Sequence, residues 1–177
     1  VIAALRWLYF HQNRKDDPDV GGWDMDGYNR WCDPKLGPAC QNDNPEHPGS
    51  AKDFDVAVTG LALLAFLGNG NTHKVGHFRT TVKRAIKYLL KHQDSEGWIG
   101  RLPKEQCEEW IYNHAIATMA LCEAYATSDD DMLLREPCER AVQCIIKAQN
   151  QGAGWRYDPA SGDNDTSVTG WMVLALK

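Results

Sequence analysis

The sequence predicts an all-α fold, an array of three helical hairpins stacked in two layers, and three observations carry the prediction. The first is an internal repeat. Segments 4–12 (ALRWLYFHQ), 85–93 (AIKYLLKHQ) and 141–149 (AVQCIIKAQ) align without gaps, and each ends in a glutamine: Gln12, Gln93 and Gln149. Each glutamine leads into a turn that carries Gly-Trp, and a second common segment follows, opening at Asp55, Asn113 and Asp165. Self-similarity at intervals of this size is the signature of stacked supersecondary units. The second observation is a 3.6-residue period in the first helix of a unit. The third is that the second helix of a unit is apolar nearly all round, as a helix enclosed by others must be.

Taken in order, the first unit opens with the helical stretch VIAALRWLYFHQ. Its turn, Gly22-Trp23, runs into a Pro-, Gly-, Asn- and Asp-rich insertion of about two dozen residues, so residues 24–52 read as a loop. The inner helix DVAVTGLALLAFL follows, with small residues Ala57, Gly60, Ala62 and Ala65. In the second unit TVKRAIKYLLKHQ places Val82, Ala85, Ile86, Leu89 and Leu90 on one face and Lys83, Arg84, Lys87 and Lys91 on the other. Its turn carries Gly97-Trp98, and its inner helix begins at NHAIATMALCEAY. The third unit repeats the order with AVQCIIKAQ, Gly154-Trp155 and DTSVTGWMVLAL. Asp55, Asn113 and Asp165 are each expected to cap an inner helix.

Length and composition agree. The 177 residues suit one domain, residues 1–177, with 43% hydrophobic and 24% charged residues. The net charge of −5 sits in the loop region: residues 13–55 hold ten acidic and five basic side chains, and the rest of the chain has fourteen of each. A nucleic-acid footprint is absent, and no apolar run approaches a membrane span. The sequence opens and closes inside helical stretches, which reads as a segment of a longer chain. No CxxC pair marks a zinc ribbon or a redox motif. Cys32 and Cys40 share the loop and are expected to form a disulfide, which would favour an extracytoplasmic setting. Cys122 and Cys138 are placed to meet across a helix connection, and Cys107 and Cys144 stand singly.

The Gln-x3-Gly-Trp of Gln93–Trp98, its looser copies at Gln149–Trp155 and Gln12–Trp23, and the Asp-Thr opening of the last inner helix resemble the QW repeats of the terpenoid-cyclase and protein-prenyltransferase superfamily, squalene–hopene cyclases in particular. The resemblance covers the chain outside the 24–52 loop. It implies an α/α toroid of which three hairpins make about half of an (α/α)6 barrel. It also implies structural roles for Gln12, Trp23, Gln93, Gly97, Trp98, Gln149, Gly154 and Trp155. A glutamine at the end of an outer helix can hand its amide to backbone groups at the next helix terminus, and the tryptophan can lie against the neighbouring repeat.

The same resemblance frames the candidate chemistry. Squalene–hopene-type cyclases carry Asp-x-Asp-Asp-Thr at an inner-helix opening, and their central Asp protonates an alkene or epoxide. Aligned on Asp-Thr, this chain reads Gly162-Asp163-Asn164-Asp165-Thr166, with Asn164 where the acid would be. Asn cannot supply a strong acid's proton. Asp163, Asp165 and Asp55 are the catalytic candidates; Asn113, His114, Thr166 and Trp171 are the ligand-binding ones. The Asp-x-Cys zinc pair of prenyltransferases is missing, although Cys107 and His114 stand near one helix opening. The Gly-Cys-Gly-Glu-Gln segment of thioester domains is missing too. Asp55 and Asp165 could pair across the mouth as in α/α-barrel glycosidases, with the tryptophans stacking on sugars. Asp24-Met25-Asp26-Gly27 has the start of a calcium loop without its later ligands. The expectation is therefore a catalytically degenerate, terpenoid-cyclase-like repeat domain that acts as a binding or scaffold module, without cofactor or metal. Its partner would be an apolar small molecule or another protein segment, and it would tend to self-associate. The alternative is a class II terpene (squalene-type) cyclase.

Overall fold

A computed structural model of the chain describes residues 1–14, 17, 19–32 and 51–177. The described residues form six α-helices: α1 (Ile2–His11), α2 (Asp55–Leu67), α3 (Arg79–Lys91), α4 (Ile111–Ser128), α5 (Glu136–Ala148) and α6 (Thr166–Leu176). Among the described residues there is no β-strand; an isolated bridge joins Gln93 to Ile99. The chain is all-α. Most of the 24–52 loop, with Cys40 in it, lies outside the described residues, and so does the expected Cys32–Cys40 bridge.

The six helices form two rows. α2 packs on α4 and α4 on α6, which makes an inner row with α4 at its centre. α3 lies against α2 and α4, α5 lies against α4 and α6, and α1 touches α2. The outer helices obey their period. On α3, Val82, Ala85, Ile86 and Leu89 are completely buried, and Lys83, Arg84, Lys87 and Lys91 are exposed. On α5, Cys138, Ala141, Cys144, Ile145 and Ala148 are buried. Glu136 and Glu139 stand in the first turn of α5, where the helix dipole favours acids, with Pro137 where its missing N–H costs nothing.

The inner helices depart from the sequence reading in one respect. Only α4 is enclosed on every side, and that over Ile111–Leu121; Glu123, Ala126 and Thr127 beyond are exposed. α2 exposes Leu61 at 43%, and α6 exposes Val173, Leu174 and Leu176. Among the described residues each of these helices has a single inner neighbour, and part of its apolar surface is exposed. Their uniformly apolar sequences match a position between two neighbours.

Two of the three expected caps are also corrected. Asp165 caps α6, accepting the Val168 N–H at 2.9 Å. Asp55 and Asn113 do not cap. A 3-10 turn (Ala51–Phe54) leads into α2, and α4 begins two residues before Asn113, so both side chains already lie inside the first turn. They bond elsewhere: Asp55 accepts the Met25 N–H at 2.9 Å, and Asn113 Oδ1 accepts the Ala57 N–H at 3.0 Å.

The hairpins are joined by their Gln…Gly-Trp turns. Gln12 Nε2 donates to Gly21 O at 2.9 Å in its own turn and to Thr81 O at 3.0 Å in the first turn of α3. Gln93 Nε2 does the same one unit later, to Gly97 O at 3.1 Å and Pro137 O at 2.9 Å in the first turn of α5. Gly97 has φ 109°, and a Cβ there would stand 2.9 Å from Arg140 O, so glycine is required both for the backbone conformation and for the close approach. Trp23, Trp98 and Trp155 are buried beneath these turns. Trp23 Nε1 donates to Leu8 O, and Trp155 Nε1 to Ile145 O at the equivalent outer-helix position, both at 2.8 Å.

Candidate functional site

The sequence candidates separate into three places. Asp163, Asn164, Asp165 and Thr166 lie before and at the start of α6. Asp163 is ion-paired with Arg156. The Asn164 side-chain oxygen accepts N–H groups from Gly154 at 2.8 Å and from Asn150 at 3.1 Å. Asp165 is the α6 cap, and Thr166 is exposed. The segment is thus a fastening between the third turn and the last helix. Trp171 is half-buried against the core cluster that contains Trp155 and Met172.

His114 stands in the interior. It is 0% exposed, its Nδ1 accepts the Ile99 N–H at 3.0 Å, and its Nε2 donates to Ala141 O at 3.2 Å. The ring is therefore neutral, and burial pushes its pKa down to about 3. With both nitrogens committed, His114 ties the second turn to α5 and has no lone pair for a metal beside the buried Cys107. Among the described residues no group of three His, Cys, Asp or Glu could hold a metal ion, and no helix is long and apolar enough to cross a membrane.

Asp55 occupies the third place, a recess of about 260 Å³ at the opening of α2. Asp19, Asp53, Asp55, His92, Arg101, Gln106 and Asn113 supply polar walls, and Val56, Tyr88 and Leu102 supply apolar ones. Asn113 fixes the rear of the recess, donating to Asp53 O at 2.7 Å and to Gly100 O at 3.2 Å. Gln106 donates to the Asp53 carboxylate at 2.7 Å. The Asp55 carboxyl is raised to about 7. Burial is the main cause, the Met25 N–H opposes it, and the charges of Asp24, Asp26 and Asp19 add to it. Burial also pushes the neighbouring Tyr88 hydroxyl up, so it stays protonated.

The acidic turn beside the recess is held by a cation of its own. Arg30 bridges Asp17 at 2.8 Å and Asp24 at 2.9 Å, while Asp24 Oδ1 accepts N–H groups from Asp26 and Gly27. This guanidinium neutralises the carboxylate that a calcium ion would need first. α4 stands between the helices that Asp55 and Asp165 open, and Asp165 is not among the residues that line the Asp55 recess.

Asp55 and Asn113 are the two sequence candidates that the structure brings together. Asp19, Asp53, Tyr88, Arg101 and Gln106 escaped the sequence reading. The signal that existed was the position of Tyr88 and His92 on the repeat: they are four residues apart near the end of α3, on the side facing the first hairpin's turn, where Gly22 packs on the Tyr88 ring. No protein-family model matches the chain, and no solved structure matches it.

Proposed function

We propose that this chain is a catalytically silent repeat module of the terpenoid-cyclase kind, three hairpins of an α/α toroid, and that it works by binding: the Asp55 recess receives the cationic side chain of a protein segment. The observation that carries this reading is the commitment of the Asp163–Thr166 segment to structure. Cyclisation begins with proton delivery to a weakly basic alkene by a strong, preorganised acid. Here Asn164 holds the central position and its oxygen accepts two N–H groups. Asp165 accepts the Val168 N–H as the cap of α6, so its carboxylate serves the helix. A scaffold role fits a segment whose polar groups all serve as fasteners.

The recess has the chemistry for a lysine or arginine side chain. Its carboxylates, Asp19, Asp53 and Asp55, would meet the charge, and Val56, Tyr88 and Leu102 would cover the aliphatic stem. Entry of a cation would draw the proton from Asp55, so binding and ionisation are coupled. The test has two arms. Incubation with squalene and with a linear C20 diphosphate, followed by mass spectrometry, should give no cyclic product. Titration with lysine- and arginine-containing peptides, followed by NMR, should shift the Val56, Tyr88 and Asn113 signals, and Asp55→Asn should weaken that binding.

One observation favours a second reading, a class II cyclase with a relocated acid. Asp55, raised to about 7 mainly by burial, still holds a proton in part at neutral pH and lines a recess. Cyclic product from the wild-type chain that disappears in Asp55→Asn would establish that reading over the binding module.

A further inference from the structure

The repeat carries a matched exchange where α4 meets the outer helix that follows it. Counted from the inner-helix openings at Asp55 and Asn113, Cys122 of α4 stands where α2 has Leu64. Counted back from Gln93 and Gln149, Cys138 of α5 stands where α3 has Val82. Leu64 and Val82 belong to one apolar cluster, in which Val82 is completely buried. One unit later both sides of the equivalent contact are cysteine, so an ordinary pair of aliphatic side chains has become a pair of thiols.

The two thiols meet. Cys122 and Cys138 are hydrogen-bonded to each other within the cluster that also holds Leu121, Leu134 and Ala141. Cys138 is 4% exposed, and Cys122 is half-buried on the solvent side of the pair. The hydrogen bond from its neighbour holds the Cys122 thiol below the ordinary range, while the same neighbour and burial push Cys138 up. Cys138 therefore keeps its proton, and Cys122, the more accessible sulfur, is the nucleophile. Beside Cys138 lie the groups that fasten the second junction: Pro137 O receives the Gln93 amide, and Ala141 O receives His114 Nε2.

We propose that Cys122 and Cys138 are a redox pair, closed by exchange with a low-molecular-weight disulfide of the glutathione kind, and that the closed form locks α5 and the second junction onto α4. The Cys122 thiolate attacks one sulfur of the external disulfide, whose S–S bond breaks and releases one thiolate. The Cys138 sulfur then attacks Cys122 in the mixed disulfide and displaces the second thiolate. The two protein thiols lose two electrons and two protons, and the external disulfide leaves as two thiols. The bond closes a loop between residues 16 apart in sequence, which restricts the unfolded chain.

Oxidised glutathione, acid quenching and mass spectrometry of the alkylated, trypsin-cut chain test this. Trypsin leaves Cys107 and Cys122 on one peptide, residues 105–135, so fragment ions must place the link. The expected product is Cys122 joined to Cys138, and Cys138→Ser should instead retain glutathione on Cys122. The oxidised wild type should melt about 5–10 °C above the reduced protein. That difference should vanish in Cys138→Ser and in the double variant Cys122→Leu, Cys138→Val, which copies the aliphatic pair of the preceding unit and so should fold. Cys122 and Cys138 both still open to alkylation after oxidation overturn the proposal. So does a link from Cys138 to any other cysteine, glutathione that stays on Cys122 in the wild type, or a melt that the Cys122–Cys138 bond leaves unchanged.

Discussion

The Gln93 amide donates to the Pro137 carbonyl at 2.9 Å, across the junction between the second and third hairpins. Gln12 and Thr81 form the same pair at 3.0 Å across the first junction. In each pair the acceptor lies twelve residues before the next glutamine of the repeat. The carbonyl belongs to the first turn of an outer helix, and the glutamine ends the preceding one, so a single side chain sets the spacing of two units. Removing it leaves two carbonyls without their donor in a poorly hydrated junction. Gln12→Ala and Gln93→Ala should each destabilise the fold by about 1–3 kcal/mol. Gln149→Ala removes one bond on an exposed turn and should cost less than about 0.5 kcal/mol. Urea unfolding of the three variants would measure the order. Equal losses at all three positions would mean that the cross-junction bond contributes nothing.

The tryptophans should separate in the same way. Trp155 is 4% exposed, its indole N–H donates to Ile145 O, and its backbone N–H is received by Thr169 Oγ1 at 3.1 Å. Trp98 is 7% exposed and meets Trp110 edge to face, with ring centroids 5.3 Å apart. Trp98→Ala and Trp155→Ala should each lose about 3–5 kcal/mol, because a large cavity opens in the core shared by α4, α5 and α6. Trp171→Ala, at a half-buried position, should lose clearly less. Thermal melts of the three variants check the ranking.

His114 gives a pH signature of known sign. Its folded pKa, about 3, lies below the ordinary histidine value of 6.5. Between those values the unfolded chain binds the proton and the folded chain does not, so stability falls as the pH drops from 6.5 towards 3. The shift corresponds to about 4 kcal/mol at the bottom of that window. His114→Gln should be less stable at neutral pH, because it loses one of two main-chain partners. It should also lack most of the acid-dependent decline between pH 6.5 and 4. Parallel pH profiles for the two proteins would contradict the neutral, doubly bonded imidazole.

How much of this could be read from the sequence depends on where the information lies. The repeat and the 3.6 period fix which faces are dry, so the α3 core residues Val82, Ala85, Ile86 and Leu89 were legible. So was the reach of the glutamines to the next helix, because a polar amide at a helix end must find backbone partners. The inner-helix openings were less legible. Asp55, Asn113 and Asp165 occupy equivalent positions, yet only Asp165 caps. The upstream turns at Asp55 and Asn113 extend the helix by local hydrogen bonding, which the residue types at these positions do not reveal. The hydroxyls of Thr59 and Thr169, which receive the N–H groups of Trp23 and Trp155, were visible as a repeated Val-Thr-Gly but not as a fastening. In the second unit Ala117 replaces that threonine; Asp94 receives the Trp98 N–H instead, and His114 receives that of Ile99. The recess was illegible because Asp19, Asp53, Tyr88 and Gln106 come from four separate segments that only packing brings together.

Asp55 should leave a pH dependence of the opposite sense to that of His114. Its folded pKa, about 7, lies above the ordinary aspartate value of 3.8. Between those values the folded chain holds the proton and the unfolded chain has released it. The stabilisation is thus fully present below pH 3.8 and is lost as the pH rises through 7. At pH 8 the folded protein carries a half-buried carboxylate beside Asp24, Asp26 and Asp19. Asp55→Asn removes that charge, and its amide oxygen can still accept the Met25 N–H. The variant should therefore be more stable than the wild type at pH 8, by about 1–2 kcal/mol once solvent screening at this partly open site is allowed for. The advantage should shrink towards zero at pH 4, where the wild-type carboxyl is protonated in the folded chain. Cation binding should run the other way: a lysine-containing peptide meets an ionised Asp55 only above the folded pKa. Its affinity should rise by up to about tenfold for each pH unit approaching 7 and level off above it. Chemical denaturation at pH 4 and pH 8, with peptide titrations across the same range, measures both effects. An Asp55→Asn variant less stable than wild type at both pH values would show that the carboxyl is needed as a hydrogen-bonded fastener, and the cationic recess would lose its acid.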